Sequence, residues 1–191
     1  GARIGDSSLS VVPRYEVKNE GTDWFSELQA QTVEVNALGQ VAEFTEAWEA
    51  SQEIPVPASR DVFFGRNNNS VARFQDSEAS ITLSLLCTKP ATYSDMSRCS
   101  AAELSALGVD APAAIRYLLG DNTREVKNGG TLRDRTTDLG DIVNSTPVVS
   151  SPLDDYGYRS LSGTIGSSYG TFLENKRTND TRYMVYVGAN D

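Results

Sequence analysis

In "DLGDIVNS", Asp138 and Asp141 stand three apart, followed by Asn144 and Ser145. Such a cluster of oxygen-bearing side chains could hold a cation or a partner's polar groups. The same residue types also cap turns and strand ends, where their oxygens accept backbone N–H groups, and the sequence favours that plainer role. Just upstream, Arg133 and Arg135 alternate in "LRDRTTD". A guanidinium is a planar fork that can grip a carboxylate through two parallel bonds. In so polar a segment the chain's own acids are the nearest partners, so pairing with Asp134, Asp138 or Asp141 is expected.

Other chemistries have little to build on. The chain contains no histidine, which removes the commonest general base and every Ser-His or Cys-His nucleophile pair. The only cysteines, Cys87 and Cys99 in "CTKPATYSDMSRC", cannot build a structural zinc site without other ligands. Pro90, Ser94 and Asp95 suit a tight loop between them, so a disulfide formed in an oxidising compartment is expected; two unpaired buried thiols are the competing reading. "SGTIGSSYG" (162–170) is glycine-rich but lacks the strand–helix setting and lysine of a phosphate loop. No spacing selects a carboxylate pair for glycoside hydrolysis. Asn67, Asn68 and Asn69 suit a turn better than a cation or sugar site. Tyr156, Tyr158 and Tyr169, in a polar stretch, fit a recognition surface or a flexible linker equally well.

The formal net charge of −9 and pI of about 4.6 argue against nucleic acid as a partner, because phosphate binding needs clustered cations. No run of 18 consecutive apolar residues suggests a membrane span. The first residues lack a basic region followed by an apolar one, so a mature protein or an excised piece is expected.

The elements that must position these residues are mostly strands. Residues 1–21 form an extended lead-in, with "RYEVK" a possible edge strand. "WFSELQAQTVEV" alternates Leu28, Ala30 and Thr32 with Gln29, Gln31 and Val33, the period of a strand. A turn at Asn36 to Gly39 and a returning "QVAEFTEAW" complete a hairpin; Val41, Phe44 and Trp48 leave a helix as the rival for that second arm. "IPVPASR" is a proline-interrupted linker. "DVFFGRNNNSVARFQ" predicts a second hairpin. "SITLSLLC" fits a short strand or a first helical turn. "SAAELSALG" has Ser100 as N-cap, Glu103 at the capping-box position and Gly108 as stop; "DAPAAIRYLLG" has Asp110 as N-cap, Pro112 in the first turn and Gly120 past the end. Together they predict a disulfide-closed loop and a short two-helix insertion at about 87–120. Asn128-Gly129-Gly130 marks a turn. Residues 150–180 are expected to be a long exposed loop, with room for a small hairpin, and "RYMVYVGAND" a strand.

Two stretches go beyond a generic mainly β pattern. Within residues 114–149 stand Leu118–Gly120–Asp121 at the end of a helix, then Gly129 to Arg135 as Gly-Gly-x-Leu-Arg-x-Arg. Leu139, Gly140, Asp141, Asn144, Ser145 and Pro147 follow in "LGDIVNSTP". The terminal stretch is "YVGAND", Tyr186 to Asp191. In this order they resemble the PilY/PilC family of type IV pilus tip-associated biogenesis factors and adhesins. "WFSELQAQTVEVNALGQVAEFTEAWEAS" and "RDVF" match more weakly, so the resemblance covers about residues 22–149 and 182–191.

The resemblance implies a fold and a role. The fold is a partial β-propeller, with residues 22–191 holding the opening blades and the chain stopping inside an Asn-Asp turn. The role is non-enzymatic: contacts with minor pilins or other pilus-tip proteins, with the remaining blades of the parent chain, and with a host cell surface. It also implies an exported protein, in the periplasm, at the outer membrane or at the pilus tip. No cofactor is expected in this chain, although calcium is possible elsewhere in a family member's propeller; the Asp-rich calcium loop of some members and an Arg-Gly-Asp motif are both missing. Two alternatives stay open. One is a quinoprotein-like propeller enzyme, whose repeats share Ser-x-Pro and the "YVG" strand end. The other is a free-standing carbohydrate or cell-surface binding module.

Overall fold

The computed structural model describes residues 2–4, 7–19, 23–66, 68–92, 95–151, 155–179 and 183–189. Its architecture is mainly small β-sheets with five helices among the described residues, and no sheet there closes into a barrel or propeller. The chain divides into two compact units. One comprises Gly1–Glu16, Ser26–Glu53 and Leu139–Asp191; the other Val17–Phe25 and Ile54–Asp138.

Strands β1 (Ala2–Ile4), β2 (Ser7–Asn19), β3 (Asp23–Val35) and β4 (Val41–Glu49) pair in that order, and the first unit is built on them apart from Val17–Phe25, which belong to the second. The described residues of the lead-in, 2–4 and 7–19, are therefore strand and part of the sheet. β1 pairs only with Ser7 to Leu9, so the "RYEVK" stretch of β2 has no β1 neighbour. The alternation in β3 has the expected outcome: Leu28 and Ala30 are buried, with Ser26 on the same side. β3 and β4 are antiparallel, Val33 opposite Phe44 and Ala30 opposite Trp48. The second arm is thus strand, not helix.

The Asn36–Gly39 turn explains the register. The Asn36 N–H donates to the Gln40 carbonyl (2.9 Å), and the Asn36 side-chain oxygen accepts from the N–H groups of Leu38 and Gln40 (both 3.0 Å). Gly39 has φ +76°, which a side chain would strain. A single helical turn, α1 (Ala50–Glu53), follows β4.

The core of this unit is Leu9, Ala30 and Val149, with Val11, Trp48, Tyr183 and Val185 packed against them. The Ser26 hydroxyl lies at zero exposure and accepts the Ile142 N–H at 2.6 Å, satisfying a donor that burial would otherwise leave unpaired.

The second unit starts with the predicted hairpin, β5 (Phe63–Gly65) and β6 (Val71–Arg73), Phe64 opposite Ala72. Asn67 lies outside the described residues. The "SITLSLLC" segment resolves as one helical turn, α2 (Leu83–Leu86), capped by Thr82. A small hairpin, β7 (Thr88–Pro90) with β8 (Met96–Arg98), then brings Cys87 and Cys99 into a disulfide with Cα atoms 5.5 Å apart. Both predicted helices follow. In α3 (Ala101–Ala106) Ser100 and Glu103 form the reciprocal capping box, and Gly108 stops the helix at φ +64°. In α4 (Ala111–Leu118) Asp110 accepts the Ala113 N–H at 2.8 Å. The apolar side of α4 is buried because Ile115 and Leu119 meet Ile81, with Val62, Phe64, Phe74 and Leu86 around them.

Three further elements, two strands and a helix, complete the first unit. β9 (Val148–Ser150) pairs antiparallel with β10 (Met184–Tyr186), Val149 opposite Val185. The partner of the terminal apolar strand thus precedes it in the chain; the Asn-Asp turn beyond it, Asn190 and Asp191, lies outside the described residues. The loop expected over 150–180 is corrected: Thr164–Asn179 is a helix of 16 residues, α5. Its composition hides it. Gly166 and Gly170 line the buried side with Leu173, and a Cβ on Gly166 would lie 1.9 Å from the Leu161 carbonyl oxygen. The glycines are there for close approach to the turn at Tyr158–Ser160, onto which α5 packs through Tyr158–Tyr169 ring contact (5.3 Å between centroids) and an Arg159–Glu174 ion pair (3.1 Å).

Candidate functional site

The motif residues of 117–138 converge, within the second unit, on a buried ion pair. After α4 the backbone turns at Gly120 (φ +109°), where a Cβ would lie 2.6 Å from an Asp138 carboxylate oxygen. The chain then closes a compact loop. Leu132 N–H donates to the Arg124 carbonyl, Val126 N–H to the Leu132 carbonyl and Gly130 N–H to the Glu125 carbonyl, at 2.9, 3.0 and 2.9 Å. Gly130 passes so near the backbone that a Cβ would sit 2.0 Å from the Arg124 oxygen. Here the Gly-Gly pair is a steric requirement, and Gly129 adds the left-handed turn at φ +83°.

This loop buries Glu125, at 1% exposure. Arg135, itself only 9% exposed in its side chain, donates from Nε to Glu125 Oε1 at 2.9 Å. Its other nitrogens donate to the Tyr117 carbonyl (2.8 Å) and the Asp121 carbonyl (3.3 Å), and Nη1 lies 3.4 Å from Asp138. The guanidinium also stacks over the Tyr117 ring, 3.9 Å from its centroid. Lys127 closes on the other Glu125 oxygen at 2.7 Å. Burial works to raise the Glu125 carboxyl, but hydrogen bonds from Lys127 and Arg135 override it and hold it below the ordinary glutamate value. Asp121 is likewise lowered, chiefly by hydrogen bonds from the Thr123 side chain and backbone.

The expected pairing of Arg135 with an internal acid is present, with Asp138, and Glu125 joins it. Nothing in the local spacing singles out Glu125, which lies ten residues from Arg135 and meets it only because the loop closes. The pairing expected of Arg133 is replaced: its guanidinium lies over Trp24, 4.1 Å from the ring centroid, and its carbonyl accepts the Tyr117 hydroxyl at 3.0 Å. Asp134 accepts the Lys127 N–H at 2.8 Å. Asp138 thus faces Arg135. Leu139, Gly140, Asp141, Asn144, Ser145 and Pro147 belong to the first unit. There Leu139, Gly140, Asp141 and Pro147 are half-buried, Asn144 is exposed, and Ser145 Oγ accepts the Gly188 N–H at 2.8 Å. Among the described residues no group of three or more Cys, Asp or Glu side chains is arranged to hold a metal ion. No helix there is long and apolar enough to cross a membrane.

What this arrangement does chemically is hold a loop rigid: a buried carboxylate, two cations and a ring lock residues 117–138 together. Comparison with known proteins places the loop in a wider setting. The chain is 26% identical over 216 aligned positions to a type IV pilus biogenesis factor PilY1 homolog of Xylella fastidiosa, covering all of this chain and 14% of that protein. It is 36% identical over 77 residues to the type IV pilus biogenesis factor PilY1 of Pseudomonas aeruginosa, 40% of this chain and 6% of that protein. A further X. fastidiosa PilY1 homolog is 36% identical over 87 residues, 46% of this chain and 7% of its own length. No family model and no solved structure matches. The chain spans a small part of each relative, and along its whole length it is similar to a type IV pilus biogenesis factor PilY1 homolog.

Proposed function

We propose that the chain is a stretch of a type IV pilus biogenesis factor and acts by surface contact, without a reaction centre of its own. The observation that carries this reading is the similarity to the X. fastidiosa PilY1 homolog along the entire chain. The disposition of side chains supports it. The charged motif residues Arg135 and Asp138 are committed, with Glu125, to internal bonds. The β3–β4 hairpin instead presents Val35, Leu38, Val41 and Phe44 to solvent beside Glu34, Glu43 and Glu46. An open edge strand of that kind offers unpaired backbone groups to a partner.

In this reading the partners are minor pilins or other tip proteins, the rest of the parent chain, and a host surface. The small sheets are opening blades of a propeller continued elsewhere in the parent chain. The site of action is the periplasm, outer membrane or pilus tip, where the Cys87–Cys99 disulfide is stable. The test is in-frame removal of this segment from its parent gene. Surface pili counted by electron microscopy should fall sharply while the shortened protein is still detected by immunoblot. Undiminished piliation and surface attachment would overturn the reading.

A further inference from the structure

Two clefts of the second unit share one wall. The first, of about 530 Å³, is lined by Arg60, Arg73 and Arg116 over Pro57, Phe74 and Leu119. The second, of about 520 Å³, is lined by Phe64, Phe74, Ile81, Leu85 and Leu86. Phe74 belongs to both, its ring edge-to-face with Phe64 at 6.3 Å between centroids. Both volumes fall within the range of ordinary ligand pockets, roughly 300–1,000 Å³.

The chemistry of the two halves differs. Three guanidiniums stand with two carboxylates, Asp76 and Asp121, in the lining of the first cleft, and a third carboxylate, Asp61, pairs with Arg73 from outside the lining, in a chain that as a whole carries −9. Arg60 donates to a neutral acceptor, the Leu119 carbonyl, at 2.8 Å. Arg73 reaches Asp61 at 3.0 Å and donates to the Arg60 carbonyl at 3.1 Å, and Arg116 reaches Asp76 at 2.9 Å and Asp121 at 4.0 Å. In the Arg73–Asp61 and Arg116–Asp76 pairs the side chains are partly exposed, at 44% and 72% and at 43% and 46%. Exposed pairs contribute little to stability, so these arginines can exchange an internal carboxylate for an incoming one. The second cleft offers an aromatic and aliphatic wall with Leu85 half-exposed at 48%.

We propose that the two clefts form one peptide-binding site, which takes an extended segment of a partner protein carrying an apolar side chain next to a carboxylate. Charge complementarity selects the occupant. A basic segment would meet the three arginines. A phosphate dianion would meet Asp76 and Asp121, which repel two charges more than one. A carboxylate fits the guanidinium fork, and the Phe74 side of the second cleft covers its apolar neighbour. The proposal rests on the contact reading above and gives it a partner chemistry. Synthetic peptides probe the clefts without any pilus component, so their failure to bind would leave the pilus reading standing.

The experiment uses the oxidised 191-residue chain and a fluorescein-labelled, end-blocked peptide of alternating aspartate and phenylalanine. Binding is followed by fluorescence anisotropy. Saturable binding that weakens with salt is expected, and the counterparts with lysine for aspartate, or alanine for phenylalanine, should bind at least about tenfold more weakly. Arg73→Gln and Leu85→Ser at exposed positions, and Arg116→Gln at a half-buried one, should each weaken binding by about tenfold while leaving the circular dichroism spectrum unchanged; Arg73→Lys should lose less than Arg73→Gln. Equal binding of acidic and basic peptides, competition by inorganic phosphate with no need for phenylalanine, or no saturation would each overturn the proposal.

Discussion

At the scale of single residues, the decisive group is Glu125. A carboxylate at 1% exposure is tolerable only because Arg135 and Lys127 both meet it. Removing one partner of a buried pair leaves an uncompensated charge. Arg135→Met is therefore expected to lower stability by about 3–5 kcal/mol, read as a fall in the urea midpoint, with Glu125→Gln costing less. The pH dependence has a definite sign. Glu125, Asp121 and Glu49 all have carboxyls held below their ordinary values. For Glu49 burial acts to raise the value, and hydrogen bonds from Ser51, Leu28 and Gln52 override it. Each such group contributes stability that is complete above the unfolded-state value and is lost as pH falls through the lower folded-state value. Stability should thus decline on acidification below the ordinary carboxylate range, and Glu125→Gln should make that decline shallower; an unchanged acid limb in thermal melts would show that Glu125 is not a source. The pair was not legible in the sequence, because a ten-residue separation across a turn follows no periodic rule.

Individual elements show two ways in which sequence and fold relate. The caps of α3 and α4 and the Asn36–Gly39 hairpin were legible, since a cap or tight turn satisfies its own backbone groups with its own side chains. Helix α5 was not, because its glycines and serines oppose helix formation locally and only the surface it packs against makes them useful. This predicts an inversion. Gly→Ala in an exposed helix stabilises by about 1 kcal/mol. Gly166→Ala should instead lower the melting temperature, because the added carbon would meet the Leu161 carbonyl at 1.9 Å. A raised melting temperature would mean that α5 does not rest on the 158–160 turn. The disulfide acts at the same scale, closing a separation of 12 residues around the β7–β8 hairpin. Replacing both cysteines by serine should cost about 3 kcal/mol in the chain-entropy view, measured by chemical denaturation, with reductant having no further effect on the variant.

For the whole molecule, composition sets behaviour that no single contact controls. With a net charge of −9 and a pI of about 4.6, repulsion keeps copies apart at neutral pH and vanishes near the pI. Val41, Phe44 and Leu38 are exposed on one hairpin, so self-association should peak near the pI, seen as a rise in light scattering that reverses on returning to neutral pH. Scattering that stays flat across that range would show the exposed hairpin to be inert.

The amino-acid sequence by itself determined the strand-rich character, both capped helices, the disulfide and the ordered motifs that carry the resemblance to PilY1 proteins. These rest on near neighbours, where residue type and spacing act directly on the local backbone. Only the tertiary structure decided that Glu125 meets Arg135, that Arg133 leaves its acids for Trp24, that the glycines of 166 and 170 lie inside a helix, and that β10 pairs with the earlier β9. Each of these depends on residues far apart in the chain whose approach is set by burial and close packing, and those forces act on surfaces that exist only once the chain has folded.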